Sequence, residues 1–263
     1  KILGAFHSFD DDKVSAALLE HTKSKQEEFF KNLLELDINA QIVLLSVCGL
    51  PRMNYVIRTH IAQNSKAAAT WFDEEVTKTW SRIANVQVND YTKFVTQLPH
   101  SLGGCGWTSM QFISQFAYQA SLSMERNPDK PEYEQEDLVY AAMAKRYEAL
   151  IDHSISGDAN TNYLHLQDCR QENNSWWLRN LRNQTAFSDP VASAALRLRI
   201  NGPHASLCER FPDKITCPGC QRQQPAWFFN QHVDGCGLIG GGGSQNRHAL
   251  FKREVGNFFS DNN

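Results

Sequence analysis

The sequence predicts a mostly α protein, a long helical region followed by a small cysteine-rich module. Three observations lead there. Apolar residues recur three and four positions apart over most of residues 10–152, strand-like alternation is scarce, and four of the seven cysteines crowd positions 208–236. With 263 residues, 41% hydrophobic and 11% aromatic, the chain is long enough to bury a real core.

The opening "KILGAF" reads as a short strand. Residues 10–37 read as a helix whose first acids suit an amino terminus, with Val14, Leu18, Leu19, Phe29, Phe30, Leu33 and Leu34 on its inner side. The acidic triplet Asp10, Asp11 and Asp12 fits a cap or solvated turn better than a metal site. "INAQIVLLSVCG" is apolar nearly all round, as a helix buried in a core would be; Pro51 should break it, and "RMNYVIRTH" begins another short helix. Residues 64–85 form a helix with Trp71, Phe72, Val76, Trp80 and Ile83 inward. The turn-rich "LPHSLGGCGWTS" leads into the helix "MQFISQFAYQASLSM". Pro128 and Pro131 precede a sixth helix over 133–152, and "SWWLRNLRN" and "DPVASAALRLRI" are two shorter ones.

Gly, Asp and Asn at 156–161 mark a domain boundary, so the expected division is a helical domain over 1–155, linker helices over 156–205 and a module over 206–263. In that module "CPGCQRQQPAWFFNQHVDGC" sets Cys217, Cys220, His232 and Cys236 in a C-x2-C, H-x3-C pattern. A C-x2-C turn delivers two thiolates from one knuckle, and four protein ligands make a closed, structural Zn2+ site with no vacancy for substrate. The competing reading has these cysteines merely buried, and a variant set uses Cys208 or His204. An odd number of cysteines, three of them scattered singly, favours reduced thiols in an intracellular, reducing compartment over a disulfide framework. No run of 18 apolar residues and no secretory leader is present, so neither membrane insertion nor export is expected. The missing initiator Met points to a processed or cropped chain.

Net charge is -3, but residues 1–169 carry -7 and residues 170–253 carry +6, so a phosphate backbone would be drawn to the second stretch. Its candidate contacts are Arg197, Arg199, Arg247, His248, Lys252 and Arg253, which as solvated helix faces would be equally ordinary. Of Arg197 and Arg199, one is expected to face solvent. Trp176, Trp177, Phe228 and Phe229 can stack bases, with core packing as the default. His100 and Cys105 invite a nucleophile reading, but no third orienting group is placed by spacing, and the glycines between them more simply permit a tight turn. "GGGG" at 240–243 reads as a flexible hinge.

Several stretches, in order, resemble the carboxy-terminal part of non-LTR retrotransposon reverse transcriptases that carry a restriction-like endonuclease. "KILGAF" is similar to the K-x-LG segment closing that family's palm, and "PRMNYVIRTH" to its PR..Y..R stretch. "QLPHSLGGCGWTS" resembles the family's LP...GGLG..S segment, Cys217, Cys220, His232 and Cys236 its CCHC knuckle, and "NRHALFKREV" the RH helix after it. The resemblance implies a thumb-like helical domain, connecting helices and a zinc knuckle that grip RNA template or DNA target without doing chemistry. The palm's paired Asp turn, F/Y-x-D-D, has no counterpart here, and no endonuclease follows the RH segment within the chain. A nuclear location follows if the element is active. The alternative is a retrotransposon-derived remnant serving as a structural subunit of a large ribonucleoprotein or other assembly in an organelle or the cytoplasm. A third reading is a zinc-braced scaffold with no nucleic-acid role.

Overall fold

A computed structural model of the chain describes residues 5–8, 10–126, 135–155, 169–170, 188–200, 202, 205–210 and 213–224. They fall into two compact units, one within Lys1–Ala84 and Val88–Asn201 and the other within Asn85–Gln87 and Gly202–Asn263. The first unit is helical. Of the opening stretch read as a strand, residues 1–4 lie outside the described residues; Ala5 forms an isolated bridge, and the Phe6 amide donates to Nε2 of buried His60 at 3.0 Å.

Helix α1 spans Asp11–Leu33. The Asp10 side chain accepts from the Lys13 amide at 3.2 Å, with Asp11 and Asp12 in the first turn. The acidic triplet therefore serves as a cap, where carboxylates meet unpaired amides and the positive end of the helix dipole. Helix α1 lies along α4, Ala62–Ala84, and buries Val14, Leu18, Phe30 and Leu33 against a face of α4 that includes Phe72, Val76 and Trp80. Phe30 and Phe72 meet edge to face, ring centres 5.3 Å apart.

The apolar stretch after Asp37 departs from expectation. Helix α2, Ile38–Leu44, is followed by a π-turn over Leu45–Gly49 and a 3-10 turn over Leu50–Met53 before α3 resumes at Asn54–Thr59. Pro51 removes an amide and its ring crowds the carbonyl four residues back, so the backbone widens and then tightens instead of turning away. Nor is this segment buried all round: Val47 is 63% exposed and Cys48 faces solvent, while Ile42, Leu45 and Met53 are buried. Ile38–Thr59 is the one stretch among the described residues long and apolar enough to cross a membrane by length and composition, and 44% of its most apolar window is buried within the protein.

Helix α5, Asp90–Gln97, was not apparent in the sequence, because eight residues hold too few apolar positions to show a period. A reciprocal cap starts it: the Asn89 side chain accepts from the Thr92 amide and the Thr92 hydroxyl accepts from the Asn89 amide. Helix α6, Met110–Arg126, packs on α3, α4 and α7, Gln135–Ile155. Helix α8, Asp189–Arg199, packs on α2 and α4. The boundary stretch 156–161 and "SWWLRNLRN" lie outside the described residues. In the second unit, α9, Ala205–Arg210, precedes an antiparallel hairpin of β1, Ile215–Thr216, and β2, Gln223–Gln224, with Ile215 opposite Gln224.

Candidate functional site

The two-residue strands β1 and β2 present the C-x2-C turn at the tip of their hairpin. Cys217 follows β1 directly, and its amide donates to the Arg222 carbonyl at 2.9 Å. The Gln221 amide donates back to the Cys217 carbonyl at 2.9 Å, and its side chain donates to the Pro218 carbonyl at 3.1 Å. Closing so tight a loop puts Gln221 at φ 59°, a left-handed conformation unusual for a residue with a side chain. Cys217 is buried and Cys220 half-buried, so one knuckle carries two thiols three positions apart. This donor pair suits Zn2+, which takes thiolates from such turns. His232 and Cys236, which would complete the tetrahedron, lie outside the described residues, as does His204. Among the described residues no group of three or more His, Cys, Asp or Glu is gathered to hold a metal. Burial and neighbouring Glu209 push the Cys208 thiol up, which disfavours the thiolate that its use as a substitute ligand requires.

The "LPHSLGGCGW" loop is held by four sets of hydrogen bonds, one within itself and three from elsewhere in the first unit. Gly103 and Gly106 take φ 88° and 72°, and a Cβ on Gly104 would fall 2.1 Å from the Leu98 carbonyl oxygen, so the glycines are demanded by turn geometry and close approach. The Gly106 amide donates to that same carbonyl at 2.8 Å. Buried Trp107 donates to the Ser46 hydroxyl at 2.7 Å. At the loop's end Asp73 of α4 accepts from the Ser109 hydroxyl at 2.5 Å and from the Met110 and Gln111 amides at 2.8 and 3.1 Å, capping α6 from another helix. Burial raises the Asp73 pKa, and these hydrogen bonds oppose the rise.

The fourth hold is Arg199, whose Nε and Nη2 donate to the Gly104 carbonyl at 3.1 and 2.7 Å. Arg199 is 5% exposed. Arg197 is half-buried and donates to the Ala84 carbonyl at 3.2 Å, with burial lowering its pKa. The expectation that one of this pair faces solvent therefore does not hold. Leu198, between them, is 56% exposed instead. A strand-like or purely local reading of the pair misses that the last turn of α8 is wedged against two carbonyls. Arg247, His248, Lys252, Arg253, Trp176, Trp177, Phe228, Phe229 and the glycine run 240–243 lie outside the described residues.

His100 and Cys105 form no nucleophile pair. His100 Nδ1 is 3.2 Å from the Gly104 carbonyl, and burial pushes the Cys105 thiol up to about 12, which keeps it neutral and unreactive. Both serve the loop.

Compared with known proteins, the chain matches no protein-family model and no solved structure. It is 26% identical over 140 residues to the "Retrotransposable element SLACS 132 kDa protein" of Trypanosoma brucei gambiense. The chain is related to a retrotransposon protein. The aligned stretch is 50% of this chain but 12% of that much longer relative. The retrotransposon kinship inferred from "QLPHSLGGCGWTS" and the knuckle thus has independent sequence support, and the mostly helical expectation agrees with the observed elements.

Proposed function

We propose that the chain is a noncatalytic, carboxy-terminal portion of a reverse-transcriptase-like retrotransposon protein that grips RNA template or DNA target through its helices and a structural zinc knuckle. The observation that carries this reading is the likeness of half the chain to a retrotransposon protein. The hairpin turn that carries Cys217 and Cys220 adds support, because two thiols on a knuckle are what the first half of a zinc site requires. Zn2+ held by Cys217, Cys220, His232 and Cys236 would supply folding free energy and no reaction chemistry. Arg247, His248, Lys252 and Arg253 would meet phosphates; Arg197 and Arg199, tied to backbone carbonyls, would brace the helical unit.

A second reading, a retrotransposon-derived remnant acting as a structural subunit of a large assembly, is favoured by the net charge of -7 over residues 1–169, since a working grip calls for a basic surface. One experiment separates the two: zinc content of the purified chain, with binding to a labelled RNA and a DNA duplex across salt concentrations. One zinc with salt-sensitive binding is expected, and Lys252→Ala with Arg253→Ala should flatten the salt dependence by about one to two units of log–log slope. One zinc without binding would favour the remnant.

A further inference from the structure

A cavity of about 540 Å³ opens between α4, α5, α6 and α7, within the roughly 300–1,000 Å³ of small-ligand pockets. Arg146 of α7 lies on its wall, its guanidinium carbon 4.9 Å from the Phe112 ring centre and 5.2 Å from that of Phe94. The group is half-buried, and burial lowers its pKa. Among the described residues it has no hydrogen-bond or ion-pair partner, so its planar fork of donors is unspent beside an open space. Lys93 shares the wall.

A second cleft of about 410 Å³ adjoins the first between α1 and α4, with half-buried Trp71 flanked by Lys23 and Lys66. Thr70 and Glu74 line both clefts. Gln63, Lys66, Thr70 and Glu74 fall three or four positions apart on α4, so the two clefts run on as one track along a single face of that helix. Four cations interleaved with Trp71, Phe94 and Phe112 make a surface where phosphates find charge and unpaired bases find flat partners.

We propose that this track binds single-stranded RNA, one base stacking at Arg146 and Phe112, another at Trp71, with phosphates toward Lys23, Lys66 and Lys93. A duplex hides its base faces and offers nothing to stack on Trp71 or Phe112. Asp73, Glu74 and Asp90 line the same cavity and repel phosphate; Asp73 is engaged by Ser109 and the α6 amides, while Glu74 and Asp90 can accept hydrogen bonds from a ribose 2′-hydroxyl, which DNA lacks. An acidic peptide would meet the same carboxylates with no base to fill the aromatic positions. The inference rests on the nucleic-acid reading of the chain, and it moves part of the grip onto the acidic first unit.

The test uses the full chain with zinc and fluorescence anisotropy of labelled oligouridine, oligothymidine and an RNA duplex. Oligouridine should bind tightest. Arg146→Lys keeps the charge and loses the planar stacking surface, so affinity should fall about tenfold with the salt slope unchanged. Lys66→Gln and Lys93→Gln, both at exposed positions, should each reduce the log–log salt slope by about 0.7, and they carry the test should Arg146→Lys fail to fold. Oligouridine binding that all three variants leave unchanged would overturn the track while sparing the broader reading. Equal or tighter binding of oligothymidine or duplex would overturn the assignment to single-stranded RNA, and binding to none of the three would overturn the track, with the broader reading falling too if a DNA duplex is not bound either.

Discussion

Asp73 shows how one side chain joins distant parts of the chain. Its carboxylate satisfies two amides and a hydroxyl at the start of α6, 36 to 38 positions onward, where unpaired amides and the helix dipole favour a negative charge. Asp73→Ala should therefore cost about 1–2 kcal/mol of stability in urea unfolding. The pH dependence has a definite sign. Burial raises the Asp73 pKa in the folded state above the usual 3.8, so the folded chain holds this proton more tightly than the unfolded one. Stability contributed by this group rises as pH falls through the raised value toward 3.8 and levels off below. Asp73→Asn should remove that slope, and an unchanged pH profile would show that another group governs it. Arg199 acts in the same way on the Gly104 carbonyl, and no local pattern in the sequence links positions 95 apart.

Among elements, the knuckle hairpin joins two-residue strands through a turn closed by backbone bonds between Cys217, Gln221 and Arg222. Gln221 at φ 59° bears about 1–2 kcal/mol of left-handed strain that glycine would relieve, at the expense of its hydrogen bond to Pro218. Gln221→Gly should keep the turn and slow hydrogen exchange of the Cys217 and Gln221 amides; faster exchange would show that the side-chain bond matters more than the strain. The opposite device operates at Pro51, where helical backbone passes through a π-turn and a 3-10 turn between α2, which packs on α8, and α3, which packs on α6. Sequence periodicity marked both sides of that interruption but not its form, which depends on where the widened turn can be accommodated beside Phe29 at Gly49.

For the whole molecule, the division into two units implies that the proposed zinc site and the helices would contribute separably to stability. Cys217→Ser should release zinc and strip amide protection from β1 and β2 while α1 to α8 keep theirs. Unchanged zinc content would sink the ligand assignment. Charge is likewise a property of the whole: counting residues assigns cations to 170–253, yet Lys23, Lys66, Lys93 and Arg146 come from four helices of the acidic stretch and line adjoining clefts.

The sequence by itself determined the helical class, the positions of α1, α4, α6 and α8 to within a few residues, the acidic start of α1, the glycine-demanding loop before α6 and the C-x2-C turn, because each is encoded by neighbours within one or two turns of chain. Tertiary structure alone decided that Arg197 and Arg199 brace carbonyls, that Asp73 caps α6, that Cys105 is buried and inert, and that Arg146 lies over the Phe94 and Phe112 rings. These are meetings of residues tens of positions apart, and whether a cation ends in solvent, on a carbonyl or beside an open cleft is settled by which helices pack together.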